Sequence, residues 1–266
     1  MTQELHNTIV VERHASRCYV TLNRPEVRNA LTGEMVAELH AVLDNIENDR
    51  TVRTLILRGA GGFFCAGGDI KGFKQVFQGA LAHEEVAAEN RHAGHFFMRV
   101  NQLPQTVVML IEGAAIGGGF GLVCTSDVAI ATADTRFALS ETSLGIPPAQ
   151  IAAFVVQRIG FTQTRRLMMT ASRFKGEEAA QLGLVHFCVP DAVVLEAKAE
   201  ETLQQIERCG AQANALTKEI LHSTQSQSLG DTLDMAAHHF ATAMLSDEGR
   251  EGVAAFLEKR KPDWAN

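Results

Sequence analysis

Short apolar runs alternate with amphipathic segments over the first two thirds of the chain. Each run is bounded by polar or glycine-rich turns, which is the pattern expected of buried strands. The first two runs are joined by a short polar turn and predict a hairpin. We predict strands at residues 8–13, 18–23, 52–58, 106–111, 127–132 and 183–189.

Helical periodicity separates these strands and continues to the end of the chain. Met35, Leu39 and Ile46 fall on one face of a helix over 32–48, with Thr32 as its N-cap. From Asp191 onward every segment has a helical pattern. We predict helices at 32–48, 73–102, 151–159, 161–170, 176–182, 191–208, 211–224, 229–246 and 248–259.

The order of these elements predicts the fold class. Strands that alternate with helices are typical of an α/β fold. Because the strands stop near residue 190, we predict an α/β core over residues 1–190 and a helical region over residues 191–266, without a flexible linker between them.

Composition and charge restrict the possible partners. The chain has 266 residues, of which 46% are hydrophobic and 21% charged, so it has the composition of an ordinary soluble domain. A net charge of −7 argues against a nucleic-acid surface. We find no signal-peptide core and no apolar run long enough to span a bilayer, so we expect a cytoplasmic protein that has no membrane partner.

Two glycine-rich loops follow predicted strands and carry the candidate chemistry. One contains Gly67 and Gly68, and the other contains Gly117, Gly118 and Gly119. Glycine lets a ligand approach the backbone closely, and paired N–H groups aimed at one oxygen stabilise an enolate or a tetrahedral oxyanion. The same glycines also fit a tight strand-to-helix turn. Neither loop has a dinucleotide-binding or P-loop pattern.

Five short motifs in the predicted loops and turns occur in the order Asn23-Arg-Pro, Asn29-Ala-Leu31, Phe64-Cys-Ala-Gly-Gly-Asp-Ile-Lys71, Gly117-Gly-Gly119 with Asp127, and Ser140-Glu-Thr-Ser-Leu-Gly145. This series resembles the crotonase (enoyl-CoA hydratase/isomerase) superfamily over essentially the whole chain. The resemblance implies a crotonase-like spiral of ββα units, a C-terminal helical trimerisation region, and a homotrimer or a hexamer built as a dimer of trimers. It also implies an acyl-CoA thioester as the ligand, with CoA as part of the substrate and no separate cofactor.

The resemblance assigns roles to residues by their position in these motifs. It implies that the backbone amides of Gly68 and Gly118 form an oxyanion hole and that Glu141 is the acid/base. Arg24 and Arg28 are expected to face CoA phosphates. The other implied substrate contacts are Ala66, Asp69, Ile70 and Lys71 at the adenine and pantetheine, and Leu144 beside Glu141.

One departure from the family pattern changes the expected mechanism. Hydratases of this superfamily usually have two catalytic glutamates, and the position of the first is occupied here by Gly121. Only Glu141 is left to move the proton. We expect Phe137, Leu144 and Ile146 to form an apolar pocket that raises the pKa of Glu141.

The segment Leu144-Gly-Ile-Pro-Pro-Ala-Gln-Ile-Ala152 favours one branch of the superfamily. Together with Gly119-Phe-Gly-Leu122 and Arg165-Arg-Leu167, it is similar to the bacterial methylglutaconyl-CoA and isohexenylglutaconyl-CoA hydratases, whose substrates carry a second, free carboxylate. This similarity predicts syn hydration of a branched glutaconyl-type thioester, with the substrate carboxylate near Gly121. The alternatives are a Δ3,Δ2-enoyl-CoA isomerase with Glu141 as its single base, and a non-catalytic acyl-CoA-binding protein.

Two other groups of side chains are weaker candidates. His92 and His95 lie three residues apart on a predicted helix, but no third ligand is evident, so we predict no metal site. Cys65 lies next to the first glycine loop without a visible basic partner, which favours a packing role over a nucleophilic one. The five cysteines form no C-x-x-C pair, so we expect reduced thiols.

Overall fold

A seven-stranded sheet forms the centre of the fold. The computed structural model describes residues 2–69, 79 and 81–265, and its α/β architecture confirms the predicted fold class. The sheet has its strands in the order β1-β2-β3-β4-β5-β7-β10. The first three strands pair antiparallel and the others pair parallel. Their bounds are β1 Thr2–Leu5, β2 Ile9–His14, β3 Arg17–Leu22, β4 Thr54–Gly59, β5 Thr106–Ile111, β7 Val128–Thr132 and β10 Phe187–Val189.

A second sheet of three short strands lies next to the glycine loops. It consists of β6 (Ala114–Ile116), β8 (Arg136–Ala138) and β9 (Arg173–Lys175), with β8 in the middle. β6 and β8 pair parallel, and β8 and β9 pair antiparallel. The sheet therefore brings the start of the second glycine loop, after β6, close to the segment that follows β8.

Helices cover the sheets and continue to the end of the chain. Thr32 caps α1 by accepting a hydrogen bond from the amide of Met35 at 3.1 Å, and Asp191 caps α6 in the same way through Val194 at 2.9 Å. The bounds are α1 Gly33–Ile46, α2 His83–Gln102, α3 Gly118–Cys124, α4 Ala152–Thr170, α5 Gly176–Gln181, α6 Ala192–Glu207, α7 Ala211–Ser223, α8 Leu229–Leu245 and α9 Asp247–Leu257.

The parallel part of the large sheet is buried on both faces. Leu55 and Leu57 of β4 point into the larger core cluster, and Ile56 between them points to the opposite side. There Ile56 joins a second cluster that includes Leu195 and Leu203 of α6. Burial on both faces explains why Leu55, Ile56 and Leu57 are consecutive apolar residues.

The structure differs from the sequence-based elements where a segment is very short or kinked. Strands β1, β6, β8 and β9 were not predicted, and β10 begins at Phe187 instead of residue 183 because a turn with Gly183 at a φ of 76° precedes it. The helices predicted at 151–159 and 161–170 form the single element α4, which is kinked at Gly160.

The end of the chain is helical, as its periodicity predicts. After β10 each described element is a helix or a short turn of 3-10 helix. The division of the chain at residue 190 remains a prediction. Helix α6, which follows this point, packs directly on the sheet. Within the part of the chain that is described, no helix is long and apolar enough to cross a membrane.

Candidate active site

Asn29 ties the loop between β3 and α1 to the first glycine loop. The residue is buried and has a φ of 55°, in the left-handed region. Its Oδ1 accepts a hydrogen bond from the amide of Arg24 at 2.8 Å, and its Nδ2 donates to the carbonyls of Ala60 at 3.0 Å and Phe63 at 2.6 Å. One side chain therefore fixes the relative position of two loops that are distant in sequence.

A parallel bridge holds the first glycine loop against Leu31. The amide of Leu31 donates to the carbonyl of Gly67 at 2.8 Å, and the amide of Asp69 donates to the carbonyl of Leu31 at 2.9 Å. In this pattern Gly68, which lies between those two partners, turns its own N–H away from Leu31. Within residues 2–69, 79 and 81–265, the Gly68 amide donates to no backbone carbonyl.

A second bridge brings the two glycine loops together. The amide of Cys65 donates to the carbonyl of Ala114 at 3.0 Å, and the amide of Ile116 donates to the carbonyl of Cys65 at 3.0 Å. As a result, a Cβ built on Gly118 would lie 3.7 Å from the amide nitrogen of Gly68. Gly118 is the first residue of α3, where an amide has no acceptor within the helix.

Glu141 lies beside the second glycine loop. The amide of Gly117 donates to the carbonyl of Ala138 at the end of β8 at 3.0 Å, and Glu141 begins the turn of 3-10 helix that follows. A Cβ built on Gly117 would lie 2.9 Å from Oε1 of Glu141. Because Gly117 also has a φ of 50°, a larger residue at this position would be strained and would displace the carboxylate.

The Glu141 side chain is partly buried, and its carboxylate is incompletely hydrogen-bonded. Its Oε2 atom is inaccessible to solvent and accepts no hydrogen bond from any described residue. Burial raises the pKa of Glu141, and a hydrogen bond with its own backbone amide opposes this rise in part. A buried acceptor without a partner costs stability, and such groups are concentrated in active sites. Glu141 is therefore suited to accept a proton and to return it.

The apolar neighbours expected around Glu141 are arranged differently. Phe137 is fully buried and stacks on Phe174, with their ring centroids 5.7 Å apart, so it belongs to the core. Leu144 is 60% exposed and Ile146 is 37% exposed. In a single chain neither residue encloses the carboxylate, and the assignment of Leu144 to substrate binding stays a prediction.

Gly121 does not border an open space. A Cβ built on this residue would lie 2.4 Å from Cγ2 of Ile151 and 3.4 Å from Cε1 of Phe97. Ile151 is 4% exposed, so its side chain fills the volume that a longer residue at 121 would need. The Cβ position of residue 121 is therefore already filled, and a substrate carboxylate near Gly121 stays a prediction.

The residues expected to contact CoA meet at the first glycine loop. Nη1 of Arg24 donates to the carbonyl of Ala30 at 3.1 Å and lies 3.5 Å from Oδ2 of Asp69. The amide of Ala66 donates to the carbonyl of Arg28 at 3.0 Å. Two other expected contacts, Ile70 and Lys71, lie outside the described residues.

Two arginines approach one aromatic ring next to this loop. The guanidinium of Arg28 lies 5.4 Å from the ring centroid of Phe63, and that of Arg136 lies 5.8 Å from the same centroid. Sequence reasoning missed Phe63 and Arg136 because only the pairing of β6 with β8 brings Arg136 near the first loop. No local pattern marks that pairing.

The structure gives no support for a metal centre or a reactive cysteine in the described part of the chain. No group of three or more metal-ligating side chains occurs in it. The ring of His92 instead faces that of His40, with 5.7 Å between their centroids. Burial raises the pKa of Cys65 to about 12, so this thiol stays protonated near neutral pH.

Comparisons with known proteins agree with this geometry. A family model described as Enoyl-CoA hydratase/isomerase matches residues 12–266. A probable enoyl-CoA hydratase of Bacillus subtilis is 32% identical over 246 residues, which is 92% of this chain and 93% of that protein. The solved structure of Pseudomonas aeruginosa AtuE is 53% identical and has a TM-score of 0.94, covering 98% of this chain and 100% of that one.

A second solved structure is also similar to this chain in sequence and in fold. An enoyl-CoA hydratase/isomerase from Marinobacter aquaeolei is 42% identical with a TM-score of 0.92, and the match covers 98% of this chain and 100% of that chain. The match of the family model over nearly the whole chain, together with the paired glycine loops and Glu141, settles the assignment. The chain is an enzyme of the enoyl-CoA hydratase/isomerase family and belongs to the crotonase superfamily.

Proposed function

We propose that this enzyme adds water across the 2,3 double bond of an enoyl-CoA, with Glu141 as the acid/base. The observation that carries the proposal is the position of the Glu141 carboxylate. It lies against Gly117, has one buried oxygen without a partner among the described residues, and adjoins the loops of Gly68 and Gly118. The two glycine amides act as the oxyanion hole.

The proposed reaction uses Glu141 twice. The carboxylate takes a proton from water as the water oxygen bonds to C3, and the electron pair of the double bond moves to the thioester as an enolate. The amides of Gly68 and Gly118 bind the enolate oxygen, and one such donor is worth about 3–4 kcal/mol in the transition state. Protonated Glu141 then returns a proton to C2 from the same face, which gives syn addition. A raised pKa suits both transfers.

We propose a branched glutaconyl-type thioester, such as 3-methylglutaconyl-CoA or isohexenylglutaconyl-CoA, as the substrate. The resemblance of the segment 144–152 to hydratases of such substrates supports this choice. The glycine at position 121 supports it as well, because a second glutamate there would repel a substrate that carries its own carboxylate. Because Ile151 fills the Cβ position of Gly121, we place that carboxylate outside this position.

CoA itself is the only cofactor-like group that the proposal requires. Arg24, Arg28, Ala66 and Asp69 lie together at the first loop, and we assign them to the nucleotide and pantetheine portions of the substrate. Ile70 and Lys71 keep this assignment from the sequence alone. No metal or nicotinamide takes part in the proposed steps.

A hydration assay on a small panel of thioesters tests this function. Loss of the conjugated enoyl absorbance would be followed with crotonyl-CoA, 3-methylglutaconyl-CoA and isohexenylglutaconyl-CoA. We expect the glutaconyl-type substrates to have the higher kcat/KM. Equal efficiency with crotonyl-CoA would contradict the substrate class but leave the hydratase assignment standing.

The role of Glu141 is tested by Glu141→Gln, with Glu178→Gln on the exposed face of α5 as the matched control. We expect the first variant to lose at least about 100-fold in kcat while it still binds a saturated acyl-CoA, and the control to keep its activity. Full activity in Glu141→Gln would contradict the mechanism. A protein that binds acyl-CoA but has no measurable rate even as wild type would instead be the non-catalytic binder.

An isomerase is the second candidate, and the lone carboxylate at Glu141 favours it. One base is enough to move a proton from C2 to C4 of a 3-enoyl-CoA. Incubation with a 3-enoyl-CoA separates the candidates. An isomerase produces a rise in conjugated absorbance and incorporates no oxygen from ¹⁸O-labelled water, whereas a hydratase consumes a 2-enoyl-CoA and incorporates the label.

We also propose a homotrimer, or a hexamer built from two trimers. Helices α8 and α9 leave large apolar side chains in solvent, far more than an isolated chain normally exposes. Light scattering after size exclusion would test this proposal, and a monomer would contradict it. The exposed residues are Leu229, Leu233, Phe240, Met244, Leu245, Val253, Phe256 and Leu257.

A further inference from the structure

One face of α2 connects the two glycine loops with a polar group farther along the helix. Asn90, Gly94 and Phe97 lie on this face at helical spacing. Phe97 is 5% exposed, and its ring lies 3.8 Å from the Cβ position of Gly118 and 3.4 Å from that of Gly121. The ring therefore forms a wall of the candidate site, and Gly94 lies one turn beyond it.

Two polar side chains converge over Gly94. A Cβ built on this buried glycine would lie 2.1 Å from Oε1 of Gln150 and 3.0 Å from Nη1 of Arg91. Nε2 of Gln150 donates to Oδ1 of Asn90 at 3.0 Å, which leaves Oε1 directed toward Gly94. Any residue larger than glycine at 94 would push the amide and the guanidinium apart.

Arg91 is a solvent-exposed residue of this helix. Among the residues that the structure describes, it forms no ion pair with a carboxylate. A guanidinium presents a planar pair of N–H donors that matches a carboxylate. No hydrogen bond joins Arg91 to Gln150 within the described residues, so the uncharged amide of Gln150 limits the position of the guanidinium by contact and does not neutralise it.

The distances suit a short dicarboxylic acyl group. Gly94 and Phe97 are separated by about 4.5 Å along the helix axis. In an extended glutaconyl chain, four carbon–carbon bonds place the distal carboxyl carbon about 5 Å from the thioester carbon. An acyl chain whose thioester is held by the amides of Gly68 and Gly118 would thus be long enough to extend along Phe97 toward the side chains over Gly94.

We propose that Arg91, positioned by Gln150 over Gly94, binds the free carboxylate of the acyl group and determines the preference for dicarboxylic thioesters. This inference rests on the proposed function and adds to it the residue that selects the substrate. It also gives the carboxylate a place to bind, since Ile151 closes the position at Gly121. Arg91 contacts the substrate, and Gln150 is a positioning residue.

The first experiment compares Arg91→Gln and Arg91→Lys with the wild-type enzyme on 3-methylglutaconyl-CoA and crotonyl-CoA. Loss of a charge-assisted hydrogen-bonding partner predicts a fall in kcat/KM of about 10- to 100-fold for the dicarboxylic substrate in Arg91→Gln, mostly through KM, and less than about 3-fold for crotonyl-CoA. Arg91→Lys should recover part of the loss. Arg166→Gln, a charge removal on the exposed face of α4, is the matched control and should keep the preference.

Binding of saturated thioesters separates this inference from the proposed reaction. Calorimetry with glutaryl-CoA and butyryl-CoA needs no turnover, and we expect wild type to prefer glutaryl-CoA and Arg91→Gln to lose that preference. This result would support Arg91 even if no hydration occurred. If Arg91→Gln retained the wild-type preference, the role of Arg91 would be overturned and the hydratase would stand. A wild-type enzyme without any preference would overturn both Arg91 and the substrate class.

Gln150→Ala tests positioning independently of the charge. We expect KM for 3-methylglutaconyl-CoA to rise by about 3- to 10-fold with kcat little changed, because the guanidinium loses its neighbour but not its charge. A purely structural role would instead lower kcat for both substrates equally, and that outcome would overturn the positioning role of Gln150.

Discussion

The side chain of Ile151 lies where a side chain at position 121 would have to go. A Cβ built on Gly121 would be 2.4 Å from Cγ2 of Ile151, which is far shorter than the contact distance of two non-bonded carbon atoms. The Cβ position of Gly121, where the family pattern has its first glutamate, is therefore filled by the side chain of a residue 30 positions later in sequence. Packing at this position leaves no room for a glutamate side chain, so Glu141 is the single carboxylate of the proposed mechanism.

The first prediction is that Gly121→Glu destabilises the protein and that Ile151→Ala in the same chain relieves this effect. Overpacking costs about 1–3 kcal/mol, and a buried carboxylate without a partner adds to that cost. The double variant should unfold at a higher temperature than Gly121→Glu alone. It should also hydrate crotonyl-CoA faster than Gly121→Glu does, because both variants carry the second carboxylate but only the double variant has space for it.

The control is Gly33→Ala, since a Cβ at Gly33 meets no atom within 4 Å. Its thermal unfolding should match that of wild type. If Gly121→Glu alone were as stable as the control, the packing of Ile151 against Gly121 would be contradicted. If the double variant were less stable than both single variants, the two positions would not be coupled in the way the structure indicates.

Most of the fold follows from the sequence because its strands are long apolar runs. The first four residues of β4 are buried, and Leu55, Ile56 and Leu57 among them form an unbroken apolar run, so the pattern predicts the strand directly. Strands β6, β8 and β9 have three residues each, too few to show a period, and they exist only because they pair with one another. Their stability comes from contacts that are distant along the chain.

The residues of the candidate site also fall into those that a local sequence pattern predicts and those that depend on distant contacts. Gly68, Gly118 and Glu141 were predicted from motifs, because local chemistry constrains these residues. The packing of Ile151 against Gly121 and the meeting of Gln150 with Arg91 were not predicted, because they join segments that no local pattern links. The missing glutamate was visible in the sequence, but what occupies its place required the structure.

The second prediction concerns the pH dependence of stability at Glu141. Because burial raises the pKa of this carboxyl in the folded protein, the folded state holds its proton more tightly than the unfolded state does. The stabilisation from the protonated form is complete below the unfolded pKa and is lost as pH rises through the folded pKa. Glu141→Gln should therefore be more stable than wild type at neutral pH, with a difference that shrinks toward acid pH.

Thermal unfolding of both proteins between about pH 4 and pH 8 measures this effect, and that range spans the usual glutamate pKa. Glu178→Gln, on an exposed surface, should show no such trend. A stability advantage of Glu141→Gln that grew toward acid pH would contradict the raised pKa.

The third prediction is that the ionisation of Glu141 determines how kcat/KM falls at acidic pH. The proposed mechanism needs the ionised carboxylate to accept a proton from water, so kcat/KM should rise with pH through the pKa of Glu141 in the free enzyme. Since burial raises that pKa, the limb should lie above the usual range of glutamate. Initial rates across pH on 3-methylglutaconyl-CoA test this, and a limb at the usual glutamate pKa would contradict the burial effect.

The fourth prediction concerns Asn29, which holds the first glycine loop through three hydrogen bonds. Asn29→Ala should cost about 2–4 kcal/mol, because it leaves buried backbone groups unpaired. Asn29→Asp should cost more, since an ionised carboxylate would face the carbonyls of Ala60 and Phe63. Chemical unfolding measures both variants. Asn29→Gly, which tolerates the left-handed φ, separates the hydrogen bonds from the backbone conformation, and stability equal to wild type would contradict their role.

The fifth prediction concerns Lys218, whose buried ammonium joins α7 to the sheet. Its Nζ donates to the carbonyls of Leu103 and Gln105 at 2.8 Å each and pairs with Asp127. Lys218→Met should cost about 2–4 kcal/mol, because two carbonyls and a partly buried carboxylate lose their partner together. The control is Arg250→Met, whose arginine pairs with the exposed Asp247 of its own helix, so its cost should stay below about 0.5 kcal/mol. Chemical unfolding at one fixed protein concentration compares the two, and equal costs would show that the buried pair contributes no more than the surface pair.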